Sequence, residues 1–356
     1  MSPLESGPIN LALVGCGRIA QTYLDALKNL DEFRLIAVAD PRENAARSFA
    51  EQCGATAHTD HRAVLGAPID AVIICTPPGT HAEIAGFFLD QAVHVLCEKP
   101  LAVTLREAEG LLAKAEKTNC LVMMASKFRY VDDIVKAKGI VDSGILGEVI
   151  LFENVFCSKV DMRNRWNSDP AMSGGGVLID NGTHSVDIAR YLLGPIVNVR
   201  SEEGRRVQQL EVEDTCRLFF RTAGGAMGAV DLSWSIHKER DSFIEVFGPE
   251  GALSIGWKSS KYRQSEKVDW VTFGKGYDKT SAFARQLRNF AGSIRGREAP
   301  LITAEDSLES VRVIEAAYRS MERDTWVEVS KHERGPAVRS SWARSPRRPR
   351  TATIVP

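Results

Sequence analysis

The chain has 356 residues, of which 44% are apolar and 26% charged, the balance of a globular protein with material for about two domains. Its formal charge is −1, yet seven Lys/Arg against the single acid Glu333 give residues 331–356 a charge of +6 and leave −7 on the rest. A mildly acidic body offers no electrostatic basis for nucleic-acid binding, and no apolar run reaches the roughly 18 residues of a membrane span.

Residues 1–126 alternate between two patterns. Apolar runs of strand length fall at 9–15, 34–40, 70–76, 94–98 and 121–125, with helical patterns between them at 26–30, 44–52, 81–92 and 105–118. The runs are apolar throughout, as strands buried on both faces must be, which predicts a parallel sheet with helices on both sides. Past residue 144 the character changes. Longer strands are expected within 147–158, 213–222, 226–236 and 241–255, several alternating apolar and polar residues as in a sheet covered on one face. Two helical patterns, 281–294 and 306–324, precede a short strand, WVEVS, at 326–330. The fold class is therefore α/β, with an α+β second half. Residues 331–356 form a basic Pro/Arg/Ser-rich tail that the composition predicts to be disordered. Seven cysteines without C-x-x-C spacing indicate reduced thiols, and the first ten residues lack a secretory pattern, so a cytoplasmic location is expected.

The first strand ends in VGCGRIA, a G-x-G-x-x-A turn with Gly15, Gly17 and Ala20. The first glycine makes the turn and the second lets a pyrophosphate approach the backbone, with Arg18 and Ile19 opening the helix whose N-terminus faces the anion. Asp40 ends the second strand, where an acid binds the adenosine ribose diol and repels a 2′-phosphate, favouring NAD; Arg42 keeps NADP open. Two more loops leave strand carboxyl ends, where such sheets bind ligands. CTPPGTHAE (75–83) offers Thr76, Pro77 and His81, with the prolines as a rigid wall for a nicotinamide ring. CEKP (97–100) offers Glu98 and Lys99, the lysine pointing into the cleft.

LIDNGTHSVDIAR (178–190) sets Asp180, His184 and Asp187 at intervals of four and three, which on a helix share one face. The spacing alone fits a metal site, a proton relay or a paired core. With no second histidine nearby, no metal is expected. Asp187 is expected to pair with Arg190 or a neighbouring strand. HTDH (58–61) looks like a ligand cluster, but it falls in a weak third-strand region, and its histidines are expected at the surface.

Taken together, VGCGRIA, Asp40, CTPPGTHAE, CEKPLA, SKFRY (126–130) and GGGVLIDNGTHSVDIARYLLG (174–194) resemble the Gfo/Idh/MocA oxidoreductases over nearly the whole chain to about residue 330. The resemblance implies an NAD(P)-binding Rossmann domain at 1–126 and a substrate-binding and oligomerisation domain at 127–330. It also implies a large, mostly antiparallel sheet whose open face joins a homodimer or homotetramer. The EKP lysine and the D-x-x-x-H pair of that family line the substrate site; here they are Lys99, Asp180 and His184. On pKa grounds His184 is the expected base, oriented by Asp180, with Lys99 bonding the reacting oxygen, though the two roles can be exchanged. Lys127, in SKFRY, stands where many relatives carry an uncharged polar residue and is expected to meet substrate. In the loop 163–170, Trp166 is expected to stack on a sugar ring, while Arg163 and Arg165 offer sites for phosphate or carboxylate.

The reading is an NAD-dependent dehydrogenase acting on a ring hydroxyl of a sugar, cyclitol or amino sugar. The alternatives are an NAD(P)H-dependent ketosugar reductase, a redox-neutral lyase and a non-catalytic cofactor-binding regulator.

Overall fold

The computed structural model describes residues 7–238, 240–265 and 269–329, so the expectation for the 331–356 tail lies outside the described residues. The first half is built from β1 (Ile9–Val14), α1 (Arg18–Leu27), β2 (Phe33–Ala39), α2 (Glu43–Cys53), β3 (Thr56–His58), β4 (Ala71–Ile74), α3 (His81–Asp90), β5 (His94–Glu98), α4 (Leu105–Thr118) and β6 (Val122–Ala125). All six strands are parallel, in the order β3-β2-β1-β4-β5-β6. Leu11 to Leu13 and the whole of β4 are fully buried, which is why the runs carry no polar alternation. Helix boundaries follow local chemistry. Thr104 and Glu107 close a capping box at the start of α4, and Gly54 ends α2 in the left-handed region at φ 69°.

The order of strands reverses between β1 and β4. Such a switch point opens a crevice at the carboxyl ends, and the three loops singled out in the sequence meet there.

The second half runs through α5 (Asp132–Asp142), β7 (Leu151–Cys157), α6 (Pro170–Ser173), α7 (Val177–Leu193), β8 (Ile196–Glu203), β9 (Thr215–Thr222), β10 (Met227–Ser233), β11 (Ser242–Gly248), β12 (Gly251–Gly256), β13 (Ser260–Gln264), β14 (Val271–Gly274), α8 (Lys279–Ile294), α9 (Ala304–Arg323) and β15 (Val327–Glu328). Among the described residues its nine strands lie in the order β14-β13-β12-β11-β7-β10-β9-β8-β15, and the one parallel pair is β7–β10. Inward residues such as Phe152, Leu218, Phe220, Val230 and Leu232 are buried beneath α7 and α9, while Leu151 and Met227 on the opposite face remain 42% and 48% exposed. This two-sided character is the alternation seen in the sequence. No helix of the described residues is long and apolar enough to cross a membrane.

The chain does not keep its halves apart in packing. Helix α8, although it follows the large sheet, lies on α1: Phe283 meets Tyr23 edge-on at 4.7 Å, and Phe290 stacks on Phe33 at 6.4 Å. Gln286 of α8 donates to the Tyr23 hydroxyl. A buried cation also joins distant segments. Arg129, 3% exposed, pairs with Asp187 of α7 and Asp306 of α9 and donates to the Leu301 carbonyl. Asp187 therefore has a structural partner, as its position suggested, but that partner is Arg129 together with the Ser126 hydroxyl; Arg190 turns instead to Asp306.

Candidate functional site

The turn after β1 fits a dinucleotide. Gly15 adopts φ 93°, and a Cβ there would sit 2.8 Å from the Cys75 carbonyl group, so the turn can hug β4 only without a side chain. Nothing lies within 4 Å of where a Gly17 Cβ would be, and α1 has no side-chain cap, which leaves its first N–H groups, those of Arg18 and Ile19, facing open space. Asp40 lies beside this turn, 4% exposed, accepting from the Cys16 N–H at 3.0 Å and from the Arg42 N–H at 2.9 Å. The Arg42 guanidinium grips both of its oxygens at 2.9 Å. Burial raises the Asp40 pKa, but these donors outweigh it and hold the carboxyl below its ordinary value. The acid is thus neutralised by the very residue that would welcome a 2′-phosphate.

From this turn a cleft of about 1490 Å³ runs over the carboxyl ends of β4, β5 and β6 to the edge of the large sheet. Ile19, Thr76, Glu98, Lys99, Lys127, Trp166, Asp180 and His184 all line it, while Gly15, Gly17, Arg18, Asp40 and Arg42 belong to the turn from which it starts. Four others stand apart. Pro77 is not part of the lining, and the neighbouring Pro78 forms the wall in its place. His81 is fully buried with Nδ1 2.7 Å from the Pro100 carbonyl and Nε2 2.9 Å from that of Thr76; it braces two loops and touches no ligand space. Arg163, its side chain 67% exposed, folds back onto Asp161 outside the cleft. Arg165 likewise stays with its own loop, 3.9 Å from the Met162 sulfur. The two histidines of 58–61 are not surface groups either: each is half-buried, and His61 meets Phe87 edge-on at 5.3 Å.

Two pairs form the centre of the cleft. The Lys99 ammonium, held at the end of β5 before a cis Lys99–Pro100 peptide, donates to the Asp180 carboxylate and to the Asp180 carbonyl at 2.8 Å. Lys127 opens the 3-10 turn after β6, and its ammonium lies 3.3 Å from His184 Nε2. An ammonium can only donate, so Nε2 is the acceptor and the imidazole proton sits on Nδ1, which is buried with no partner among the described residues. Asp180 therefore orients Lys99 and not His184, contrary to the expectation from their spacing. The motif does not point its aspartate and histidine at one metal: each takes a different lysine.

The electrostatics follow from burial. His184, 5% exposed and edge-on to Phe128 at 5.0 Å, is held well below the usual imidazole pKa by desolvation and then by Lys127 and Lys99, so it is neutral at neutral pH. Burial lowers the Lys127 pKa to about 8, partly offset by the Glu98 carboxylate. Glu98, accepting from the Tyr23 hydroxyl at 2.9 Å, is itself raised by burial.

Several lining residues lie outside the sequence motifs. Trp257 and Lys258 follow β12, and Tyr277 and Lys279 flank the start of α8. Tyr277 stacks on Phe128 at 5.3 Å and meets Trp257 edge-on at 5.7 Å, forming an aromatic floor. A tryptophan directly after a glycine-bounded strand was the available signal; its distance along the chain from the motifs concealed it.

A dinucleotide turn opening onto a polar, lysine-rich cleft across a parallel sheet defines the class, a nicotinamide-dependent oxidoreductase. Residues 9–126 match the family described as "Oxidoreductase family, NAD-binding Rossmann fold", and residues 134–254 match the GFO/IDH/MocA C-terminal domain. The chain belongs to the Gfo/Idh/MocA family. Over 346 residues it is 25% identical to the myo-inositol 2-dehydrogenase of Thermotoga maritima, spanning 91% of this chain and 99% of that one. It is 27% identical over 299 residues to the levoglucosan dehydrogenase of Pseudarthrobacter phenanthrenivorans, spanning 70% and 74%. Among solved structures, GenD2 from gentamicin A biosynthesis in complex with NAD superposes with a TM-score of 0.81 at 26% identity, covering 91% of this chain and 97% of that one.

Proposed function

We propose that this chain oxidises a secondary hydroxyl on a sugar or cyclitol ring, with NAD as the hydride acceptor. The observation that carries the reading is the meeting of the Lys99–Asp180 and Lys127–His184 pairs in one cleft with the uncapped glycine turn. The named relatives add support, since one acts on a cyclitol and one on a sugar.

Gly15, Gly17 and the N-terminus of α1 hold the diphosphate, and Asp40 takes the adenosine ribose once Arg42, 69% exposed, swings aside. Bound NAD supplies the electrophilic nicotinamide carbon that receives the hydride. Lys99, anchored by Asp180, donates a hydrogen bond to the reacting oxygen and steadies its growing negative charge. His184 enters neutral and takes the hydroxyl proton on Nε2 as Lys127 turns from it toward the substrate. The amino-sugar variant is disfavoured, because it would bring another ammonium beside Lys99 and Lys127.

Purified protein mixed with NAD, then NADP, across inositols, hexoses and sugar acids should give reduced nicotinamide with one ring class and a preference for NAD. Silence across the panel from protein that binds NADH would sink the dehydrogenase reading. His184→Ala should lower kcat by about 10²–10⁴-fold while NADH affinity holds; equal losses in both would remove His184 from proton transfer.

The same reading includes a homo-oligomer through the open face of the large sheet. Leu151, Phe219 and Met227 share that face beside the Arg217–Asp231 ion pair, an apolar strip bordered by charge. Sedimentation should report a dimer or tetramer, and Met227→Asp should reduce it toward monomer.

A further inference from the structure

The charge of the cleft is unusual for this chain. Among the described residues, seven lysines and arginines line it against four carboxylates, in a protein whose formal charge is −1. Three of these cations are paired with carboxylates: Lys99 with Asp180, Lys238 with Asp231 and Arg240 with Glu153. Lys261 packs on the Trp270 ring. Lys127, Lys258 and Lys279 make no salt bridge to any described residue, although Lys127 lies over the Phe128 ring and Lys279 over the Phe283 ring.

These three surround the aromatic floor. Lys127 stands at its inner end, 5.1 Å above the Phe128 ring and beside His184. Lys258 directly follows Trp257, and Lys279 lies two residues beyond Tyr277, whose N–H donates to the Trp257 carbonyl at 3.0 Å. Asp278, between Tyr277 and Lys279, commits its carboxylate to capping α8 through Ser281. The Glu98 and Asp180 carboxylates attract Lys127 without a hydrogen bond to it, Asp180 being already bound to Lys99, while Lys99 and Lys279 repel it. Like charges gathered around a half-buried lysine are unfavourable unless an anion joins them. The diphosphate of the cofactor is not that anion, since its place is the N-terminus of α1, whereas Lys127 sits against α7.

We propose that the substrate ring carries an anionic group, a carboxylate or a phosphate, lodged in the field of Lys127, Lys258 and Lys279 while the ring lies on Trp257 and Tyr277. This rests on the reading of the cleft as a site for ring polyols and narrows it to sugar acids or sugar phosphates. Lys127 then acts twice, because engaging the anionic substrate also frees His184 Nε2 for the hydroxyl.

The test uses matched rings: glucose, glucuronate and glucose 6-phosphate, then myo-inositol and an inositol monophosphate. Each is assayed for NAD reduction and, by calorimetry, for binding to the NADH-loaded protein. One charged member should exceed its neutral partner by about tenfold or more in kcat/KM or in affinity, and the preference should shrink with added salt. Which member wins separates carboxylate from phosphate. The Lys258→Ala/Lys279→Ala double variant should lose about tenfold of that preference. Neutral rings bound as well as charged ones would overturn the proposal, as would a double variant whose NADH affinity falls as far as its sugar-acid affinity. Absence of turnover with every ring counts against the dehydrogenase reading alone, because calorimetry still decides the charge.

Discussion

Lys127 and His184 share a hydrogen bond, so the protonation of one governs the other. The ammonium is the second cause, after burial, of the depressed imidazole pKa. Removing it with Lys127→Met should raise the His184 pKa and move the acid limb of the kcat/KM profile to higher pH; an unmoved limb would detach that limb from His184. At the other end of the cleft, Asp40 sits buried with Arg42 wrapped on it, and the two oppose one another in cofactor choice. Asp40→Ser, which leaves Arg42 free to meet a 2′-phosphate, should shift the NADP-to-NAD ratio of kcat/KM by about tenfold or more. Steady-state assays with both cofactors check this, and an unchanged ratio would mean Asp40 does not read the ribose.

At the scale of one element, helix α7 owes its placement to a residue far along the chain. Glu213 Oε1 accepts from the N–H groups of Gly176 and Leu178, both at 3.0 Å, and from the Tyr318 hydroxyl at 2.9 Å, while its carbonyl takes the Val177 N–H. A Cβ on Gly175 would lie 2.0 Å from the Tyr318 oxygen, so the glycine run of 174–176 is shaped by this clasp. Glu213→Ala strands those donors and should cost about 3 kcal/mol, read as a lowered denaturant midpoint. Burial raises the Glu213 pKa from 4.5 to about 7. The folded state therefore keeps a proton that the unfolded chain releases, and the resulting stability, full below pH 4.5, is lost as pH rises to about 7. Glu213→Gln removes that loss, so its melting temperature should gain on the parent across this window; parallel curves would contradict the linkage.

The clasp also marks the limit of what was legible. The glycine turn, the two strand-end loops and the D-x-x-x-H spacing were visible because each is local: a strand, a turn and a helix adjacent in sequence fix which way the side chains point. Partners across the fold were not. Asp180 with Lys99, Asp187 with Arg129 and Glu213 with Gly176 depend on how α7 lies against two sheets, and spacing along one helix cannot encode that. Arg163 stays out of the cleft because Asp161, two residues away, satisfies it locally. Helix α5, with only a weak apolar stripe, and the edge strand β14 with its neighbour β13, short and partly polar, left little periodic signal.

For the molecule as a whole, the return of α8 to α1 has a consequence for anyone who would take the protein apart. Tyr23 and Phe33 are covered by Phe283 and Phe290, residues lying about 260 positions downstream of them. A fragment ending near residue 126 would expose these rings and the Tyr23 hydroxyl that Gln286 satisfies. The nucleotide half is thus completed by a helix that follows the large sheet, like a strap drawn back across to the piece it started from. Chimeras that exchange substrate specificity within this family should treat α1 and α8 as one inherited unit and place both crossover points between them.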